Sequence, residues 1–260
     1  MFIGVDIGNT NITFGFLKDG NVCEAFKVET SVFKFRKKAE LLVKKKLSRS
    51  LLKKGQCQCA YICSVVPTLN KTIKSILKTL FGVDALIVGK DVIVPIMNRY
   101  RLLHQVGQDR LVNAYAGLKL FGGGLIIVDF GTAITFDILS SKEEYLGGLI
   151  VPGFKLMQES LHRGTALLPY VGLSKPIELI GRDTVSSIRA GIVYGVAALC
   201  DGIISRLLLK DCKGYKVIVT GGDVELVKSF ASSMPHVEDH LILRGLALLC
   251  ESQKKINKRV

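Results

Sequence analysis

The sequence predicts an α/β protein made of two related domains, and three observations carry that expectation. The 260-residue chain opens on an apolar strand, a tight polar turn and a returning strand, over Phe2-Ile3-Gly4-Val5-Asp6-Ile7-Gly8-Asn9-Thr10-Asn11-Ile12-Thr13-Phe14-Gly15-Phe16. The same construction returns in the second half as Val128-Asp129-Phe130-Gly131-Thr132-Ala133-Ile134-Thr135-Phe136. The elements after each hairpin then follow in a similar order, with Gly122-Gly123-Gly124 as a break between the halves. The domains are expected at 1–121 and 122–260.

The elements read in order as follows. Residues 2–7 and 12–17 form the first hairpin, and a third strand lies near 22–29. Between Lys34 and Lys54 ten basic residues face one acid, Glu40, while Ala39, Val43, Leu47 and Leu51 recur every four residues. That spacing is the apolar stripe of an amphipathic helix with a lysine face in water. Residues 59–66 are a buried strand stopped by Pro67, followed by a helix over 68–81 and a strand over 85–88. A loop over 92–106 leads to a helix from about Asp109 to Phe121. The second half restarts with a strand at 125–129, the hairpin 130–139 and a strand at 145–151. Helices over 153–162 and 184–209, a strand over 216–219 and a helix after Gly222 follow. Leu241-Ile242-Leu243 reads as a short strand before a final helix.

Composition sets bounds on function. Hydrophobic residues at 48% and charged residues at 22% describe a globular chain with ample core. The most apolar windows are broken by Asp129 and Asp201, so no transmembrane span is expected. The N-terminus has no basic segment leading into a cleavable apolar run, which argues for a cytoplasmic protein. Seven cysteines are an odd number and suit reduced thiols better than a disulfide framework. Cys57, Cys59 and Cys63 lack a second Cys or His pair at zinc-finger spacing and read as small core thiols. The net charge of +14 fits a nucleic-acid or anionic-membrane patch, or simply a solvated helix face. No nucleic-acid-binding motif accompanies it, so the solvated face is expected and neither nucleic acid nor membrane is expected as a partner. The charge also favours small anionic substrates.

The two hairpins carry the chemistry. Gly8 permits a positive φ in the turn, and backbone N–H groups with Asn9, Thr10, Asn11 and Thr13 can converge on an anion. Asp6, at the strand end, is placed to hold a divalent cation beside that anion. Thr220-Gly221-Gly222-Asp223 follows an apolar strand and opens a helix, where glycines let backbone approach a ligand and the helix N-terminus favours anions. Each motif has an ordinary alternative. One hairpin alone is a β-turn, and the glycine pair alone is a common connection. Asp109-Arg110 could simply cap the helix that begins there, and Thr184 could be a plain helix-start residue. No P-loop pattern is present.

Together the Asp6 hairpin, the Asp129 hairpin and the Thr220–Asp223 turn resemble the two phosphate motifs and the adenosine motif of the sugar-kinase/Hsp70/actin superfamily, with its two ribonuclease-H-like domains. Gly107-Gln108-Asp109-Arg110, Gly147-Gly148-Leu149-Ile150-Val151-Pro152-Gly153 and Thr165-Ala166-Leu167-Leu168-Pro169 narrow the resemblance to type III pantothenate kinase, nearly end to end. That family phosphorylates pantothenate with ATP, the first step towards coenzyme A. The resemblance implies that Asp6, Ile7, Gly8, Asn9, Thr10, Asn11, Ile12 and Thr13 form the ATP-phosphate hairpin, with Asp6 directed at magnesium. Thr132, Gly221 and Gly222 would also serve ATP, and Asp129 would bind a monovalent cation, potassium or ammonium. Tyr100, Gly107, Gln108, Asp109 and Arg110 would face the substrate, with Asp109 as catalytic base. Thr184 would contact pantothenate from the neighbouring subunit of a homodimer.

Two departures from the family pattern stand out. Leu103-His104-Gln105 replaces the usual proline and acid, and Ile134 replaces a common threonine, leaving Thr132 and Thr135 to serve the second hairpin. Two further readings stand beside the kinase. One is a non-enzymatic accessory regulator of transcription with the same fold. The other is a superfamily kinase acting on another small alcohol. The joint presence of Asp6, Asp109 and Asp129 favours catalysis.

Overall fold

The computed structural model describes residues 1–47 and 57–257. The chain divides into two compact units, Met1–Leu120 with His240–Val260, and Phe121–Asp239.

The first unit is built on a five-stranded sheet. Strands β1 (Phe2–Ile7), β2 (Asn11–Lys18) and β3 (Asn21–Glu29) form an antiparallel meander, and β4 (Cys59–Ser64) and β5 (Ala85–Ile87) add in parallel to give the order β3-β2-β1-β4-β5. Ile3, Val5 and Ile7 line one face of the central strand β1 and are fully buried, while Phe2 and Gly4 are buried on the other beside the half-buried Asp6. Helix α1 (Arg36–Lys46) buries Ala39 and Val43 and leaves its lysines exposed, as the four-residue stripe requires. Leu51 and the rest of the basic segment beyond Leu47 lie outside the described residues. Helix α2 (Asn70–Phe81) ends on Gly82, whose φ of 74° provides the left-handed cap. A two-residue strand β6 (Met97–Asn98) interrupts the segment read from sequence as a loop. Helix α3 (Gln108–Phe121) then follows, with Arg110–Leu118 buried.

The second unit repeats the plan. Strands β7 (Leu125–Phe130), β8 (Ala133–Leu139) and β9 (Glu144–Pro152) form an antiparallel meander. Strand β10 (Lys216–Gly221) pairs parallel with β7, as β4 pairs with β1. The turns differ by one residue: Asp6 pairs with Thr13, whereas Asp129 pairs with Thr135. Helices α4 (Phe154–Arg163), α5 (Thr184–Lys210) and α6 (Val224–Val227) complete the unit. By length and composition α5 is apolar enough to cross a membrane. It carries Arg189, Asp201 and Arg206, however, and buries Ile192, Val193, Val196, Cys200 and Ile204 in the core around Phe130 and Phe136.

Two differences from the sequence reading share one cause. Leu241-Ile242-Leu243 is no strand but the first turn of α7 (Leu241–Asn257). A short apolar run is ambiguous between strand and buried helix, and here the helix runs on through Gly245 to Asn257. That helix packs on the first unit rather than the second. A Cβ at Gly15 would lie 3.0 Å from Leu243 Cδ2, and one at Gly245 would lie 2.7 Å from the Val112 carbonyl. Glycines on β2 and on α7 thus admit a close approach that the division at 121/122 did not register.

Candidate active site

The first unit gathers one group of candidate residues. Asp6 is half-buried at the end of β1, and the turn after it exposes Asn9 and Asn11. The Gly8 N–H donates to the Asn11 carbonyl at 3.0 Å. Gly8 is not among the positive-φ glycines; its requirement is steric, since a Cβ there would meet the Asn11 oxygen at 3.0 Å. From behind, the Thr30 hydroxyl donates to the Gly8 carbonyl at 2.7 Å, and the Thr30 N–H to the Thr10 carbonyl at 3.0 Å.

Asp109 enters from α3. It sits in the helix's first turn, where the dipole favours a carboxylate, and accepts the Arg110 N–H at 2.9 Å. A Cβ at Gly107 would collide with the Asp109 carboxylate, so a larger residue there would displace that side chain. Gly89, with φ 84°, lets the loop after β5 press on Gln108; a Cβ would lie 2.6 Å from its Cδ. Burial pushes the Asp109 carboxyl above its ordinary value, against the pull of the Arg110 backbone N–H and guanidinium. Arg110 is itself only 7% exposed. Tyr100 is half-buried, its N–H bonded to Asn98 Oδ1 at 2.9 Å. Leu103, His104 and Gln105 form a short, exposed 3-10 turn before the buried Val106.

Cys63 lies under the electrostatic influence of both carboxylates. It pairs with Asp6 across β1 and β4 and has no solvent exposure. Burial, then the Asp6 and Asp109 carboxylates, push its thiol well above the ordinary value. Two acids a hundred residues apart in sequence therefore both bear on one buried sulfur. Sequence reading treated Cys63 as a core thiol only. Strand alternation cannot reveal which residue of a neighbouring strand lies opposite Asp6.

The second unit gathers the other group. Asp129 ends β7 directly beside Thr220 of β10. Gly221 has φ 109°, and a Cβ on it would collide with the Phe130 backbone and lie 2.6 Å from Asp129 Oδ1. The Asp223 N–H reaches the Phe130 carbonyl at 3.3 Å. Thr132 accepts the Gly153 N–H at 3.1 Å, seating the start of α4 on the hairpin. The Asp129 hairpin and the Thr220–Asp223 turn, ninety residues apart, are thus one construction within this unit. Gly222 is exposed beyond it. Thr184 is an exposed residue at the start of α5; Asp183 performs the capping, accepting the Ser186 N–H at 2.9 Å.

A sequence model of the type III pantothenate kinase family matches residues 2–206. The chain belongs to that family. A type III pantothenate kinase from Bacillus cytotoxicus is 34% identical over 251 residues, covering 96% of both chains. One from Anaeromyxobacter dehalogenans is 35% identical, covering 98% of this chain and all of its own. Solved structures place this pantothenate kinase family member in the sugar-kinase/Hsp70/actin fold. MreB 5 of Spiroplasma citri, bound to AMPPNP, matches with a TM-score of 0.51 at 12% identity over 99% of this chain and 98% of its own. A Campylobacter jejuni protein assigned to the Baf family of transcriptional activators matches at 0.58 and 19% identity, covering 97% and 99%. At such identities the likeness is one of fold.

Proposed function

We propose that the protein transfers the γ-phosphoryl group of ATP to the primary hydroxyl of pantothenate. The observation that carries this reading is the convergence of Asp6 and Asp109 on Cys63. It supports a shared site for the phosphate hairpin and the substrate loop of the family pattern. The regulator reading is not favoured, because relatives matched over the full chain at 34–35% identity are kinases by name.

Phosphoryl transfer through a loose transition state asks mainly for positioning and charge neutralisation. Asp109 accepts a hydrogen bond from the attacking hydroxyl and takes its proton late. Its raised pKa makes it a better acceptor, while the neighbouring Arg110 charge favours the ionised form. Ile7 and Ile12, buried at the strand ends, hold the hairpin whose residues Gly8, Asn9, Thr10, Asn11 and Thr13 face the phosphates. Asp6 would hold magnesium, and a single carboxylate beside short polar side chains fits an ion that also takes phosphates and water. When bound, it supplies charge neutralisation at the phosphates. Asp129 would hold potassium or ammonium; a side chain at Gly221 would crowd its carboxylate oxygen, so glycine there suits such a role. Thr132, Gly221 and Gly222 serve the nucleotide. Tyr100, Gly107, Gln108 and Arg110 serve pantothenate.

The active unit is a homodimer in which Thr184 reaches the partner's pantothenate. Two observations support it. The loop before α5 exposes Leu167 at 92%, Ile177 at 98% and Ile180 at 77%, large apolar side chains that a second subunit could cover. Helix α5 also turns Gly191, Gly195 and Gly202 to open space, a surface on which another helix can approach closely. A helix as apolar as α5 is expected to be covered in a core or by another subunit, and within one chain it buries only one side. The net charge of +14 suits two anionic substrates, and the compartment is the cytoplasm.

The test is ADP release by purified protein with and without pantothenate, in potassium, ammonium and sodium. Pantothenate-dependent release that is much faster in potassium or ammonium is expected. Release that ignores pantothenate contradicts the substrate, and equal rates in all three salts contradict the Asp129 site.

A further inference from the structure

We propose that Thr30 is a positioning residue for the nucleotide, acting through the Asp6 hairpin. This rests on the phosphate assignment of that hairpin made above. Thr30 follows β3 and lies on no motif of the sequence reading. It is only 8% exposed, and it makes two hydrogen bonds to the turn, both to carbonyl groups.

The direction of those bonds is what matters. A turn that cradles phosphate must present N–H groups to the ligand and turn its carbonyl oxygens away, since a carbonyl facing an anion repels it. In a planar trans peptide the N–H points opposite to the preceding C=O. No peptide in the described chain is cis. Pinning the Gly8 carbonyl to the Thr30 hydroxyl therefore turns the Asn9 N–H to the opposite side. Pinning the Thr10 carbonyl to the Thr30 N–H does the same for the Asn11 N–H. One residue thus sets the orientation of two peptides in the four-residue turn. The Gly8 N–H, by contrast, is spent inside the turn on the Asn11 carbonyl.

The hydroxyl bond is not part of the sheet ladder. The backbone bond from the Thr30 N–H would survive any side chain at this position, whereas the bond to Gly8 needs a hydroxyl. Valine has nearly the same shape, so filling the space gives no reason for threonine here. Thr30→Val would keep the fold of β3 and release the Gly8 peptide, leaving a carbonyl free to face the phosphates.

The experiment compares wild type, Thr30→Val and Thr30→Ser. It reads direct binding of AMPPNP with magnesium by calorimetry, KM for ATP, KM for pantothenate and thermal midpoint. Loss of one hydrogen bond to a part-buried acceptor corresponds to a roughly tenfold weakening. Thr30→Val is expected to weaken AMPPNP binding and raise KM for ATP by about that factor, with KM for pantothenate within about twofold. Thr30→Ser, which restores the hydroxyl, is expected to recover nucleotide affinity. Unchanged nucleotide binding in Thr30→Val overturns the proposal. So does a loss that Thr30→Ser fails to repair, or one that affects both substrates equally along with the thermal midpoint. The binding arm needs no pantothenate turnover. If wild type binds AMPPNP but leaves pantothenate untouched, the substrate reading fails while Thr30 is still judged on its own data.

Discussion

At the residue scale the reading turns on Asp109 and Asp6. Asp109→Asn should fold and bind ATP but lose about 10²–10⁴-fold in turnover, the usual share of a general base. Steady-state kinetics with a nucleotide-binding control measures this, and near-normal kcat would remove Asp109 from the mechanism. The pH dependence follows from burial. A carboxyl raised above its ordinary value of 3.8 must lose its proton to act, so the acid limb of kcat/KM should lie above that value. The stability effect has a definite sign. The folded state holds the proton more tightly than the unfolded chain, so wild-type stability falls as pH rises from 3.8 through the raised pKa. Asp109→Asn has no such loss. It should be at least as stable as wild type at neutral pH, with any advantage vanishing in acid. Asp6→Asn should weaken magnesium-dependent ATP use far more than pantothenate binding, and full rescue by excess magnesium and ATP would contradict the metal assignment.

At the element scale the site depends on close backbone approaches that only glycine allows. Gly221→Ala would set a Cβ against the Phe130 backbone at a left-handed φ of 109°, where neither chain can give way cheaply. Gly214 also has a positive φ, 78°, but nothing lies within 4 Å of its Cβ position. Urea unfolding should therefore show Gly214→Ala losing about 1 kcal/mol from strain alone. Gly221→Ala should lose more, by a further roughly 1–3 kcal/mol of overpacking, and weaken nucleotide binding. Equal losses would mean that β10 and the Asp129 hairpin are not in contact as described. These approaches also explain what was legible beforehand. Both hairpins, the Asp109 helix and the glycine turn announced themselves through local patterns: an Asp-x-Gly after an apolar strand, and a glycine pair before a helix. What stayed hidden depends on partners distant in sequence. Leu243 belongs to a helix because it packs on Gly4 and Gly15 across the unit, and no local periodicity says so. Cys63 and Thr30 bear on the site only through register and through a side chain closing on a turn more than twenty residues away.

At the scale of the whole molecule, a duplicated topology supplies two hairpins and two strand-end acids, one in each unit. The exposed apolar loop before α5 and the open glycines of that helix motivate a dimer with sites completed by Thr184. Mixing Thr184→Arg with Asp109→Asn, each inactive alone, should restore turnover, because one site of a mixed dimer then carries neither defect. Failure to restore it, with mixed dimers confirmed by mass spectrometry, would place Thr184 in its own chain's site, and a monomer at assay concentration would remove shared sites altogether. The most direct measurement is of the product itself. Purified protein is incubated with magnesium, ATP and pantothenate, and the small molecules are resolved by mass spectrometry for wild type and Asp109→Asn. Phosphopantothenate formed one-for-one with ADP by wild type, and largely lost in Asp109→Asn, is expected. ADP without phosphopantothenate, or product formed equally by both proteins, would contradict a pantothenate kinase centred on Asp109.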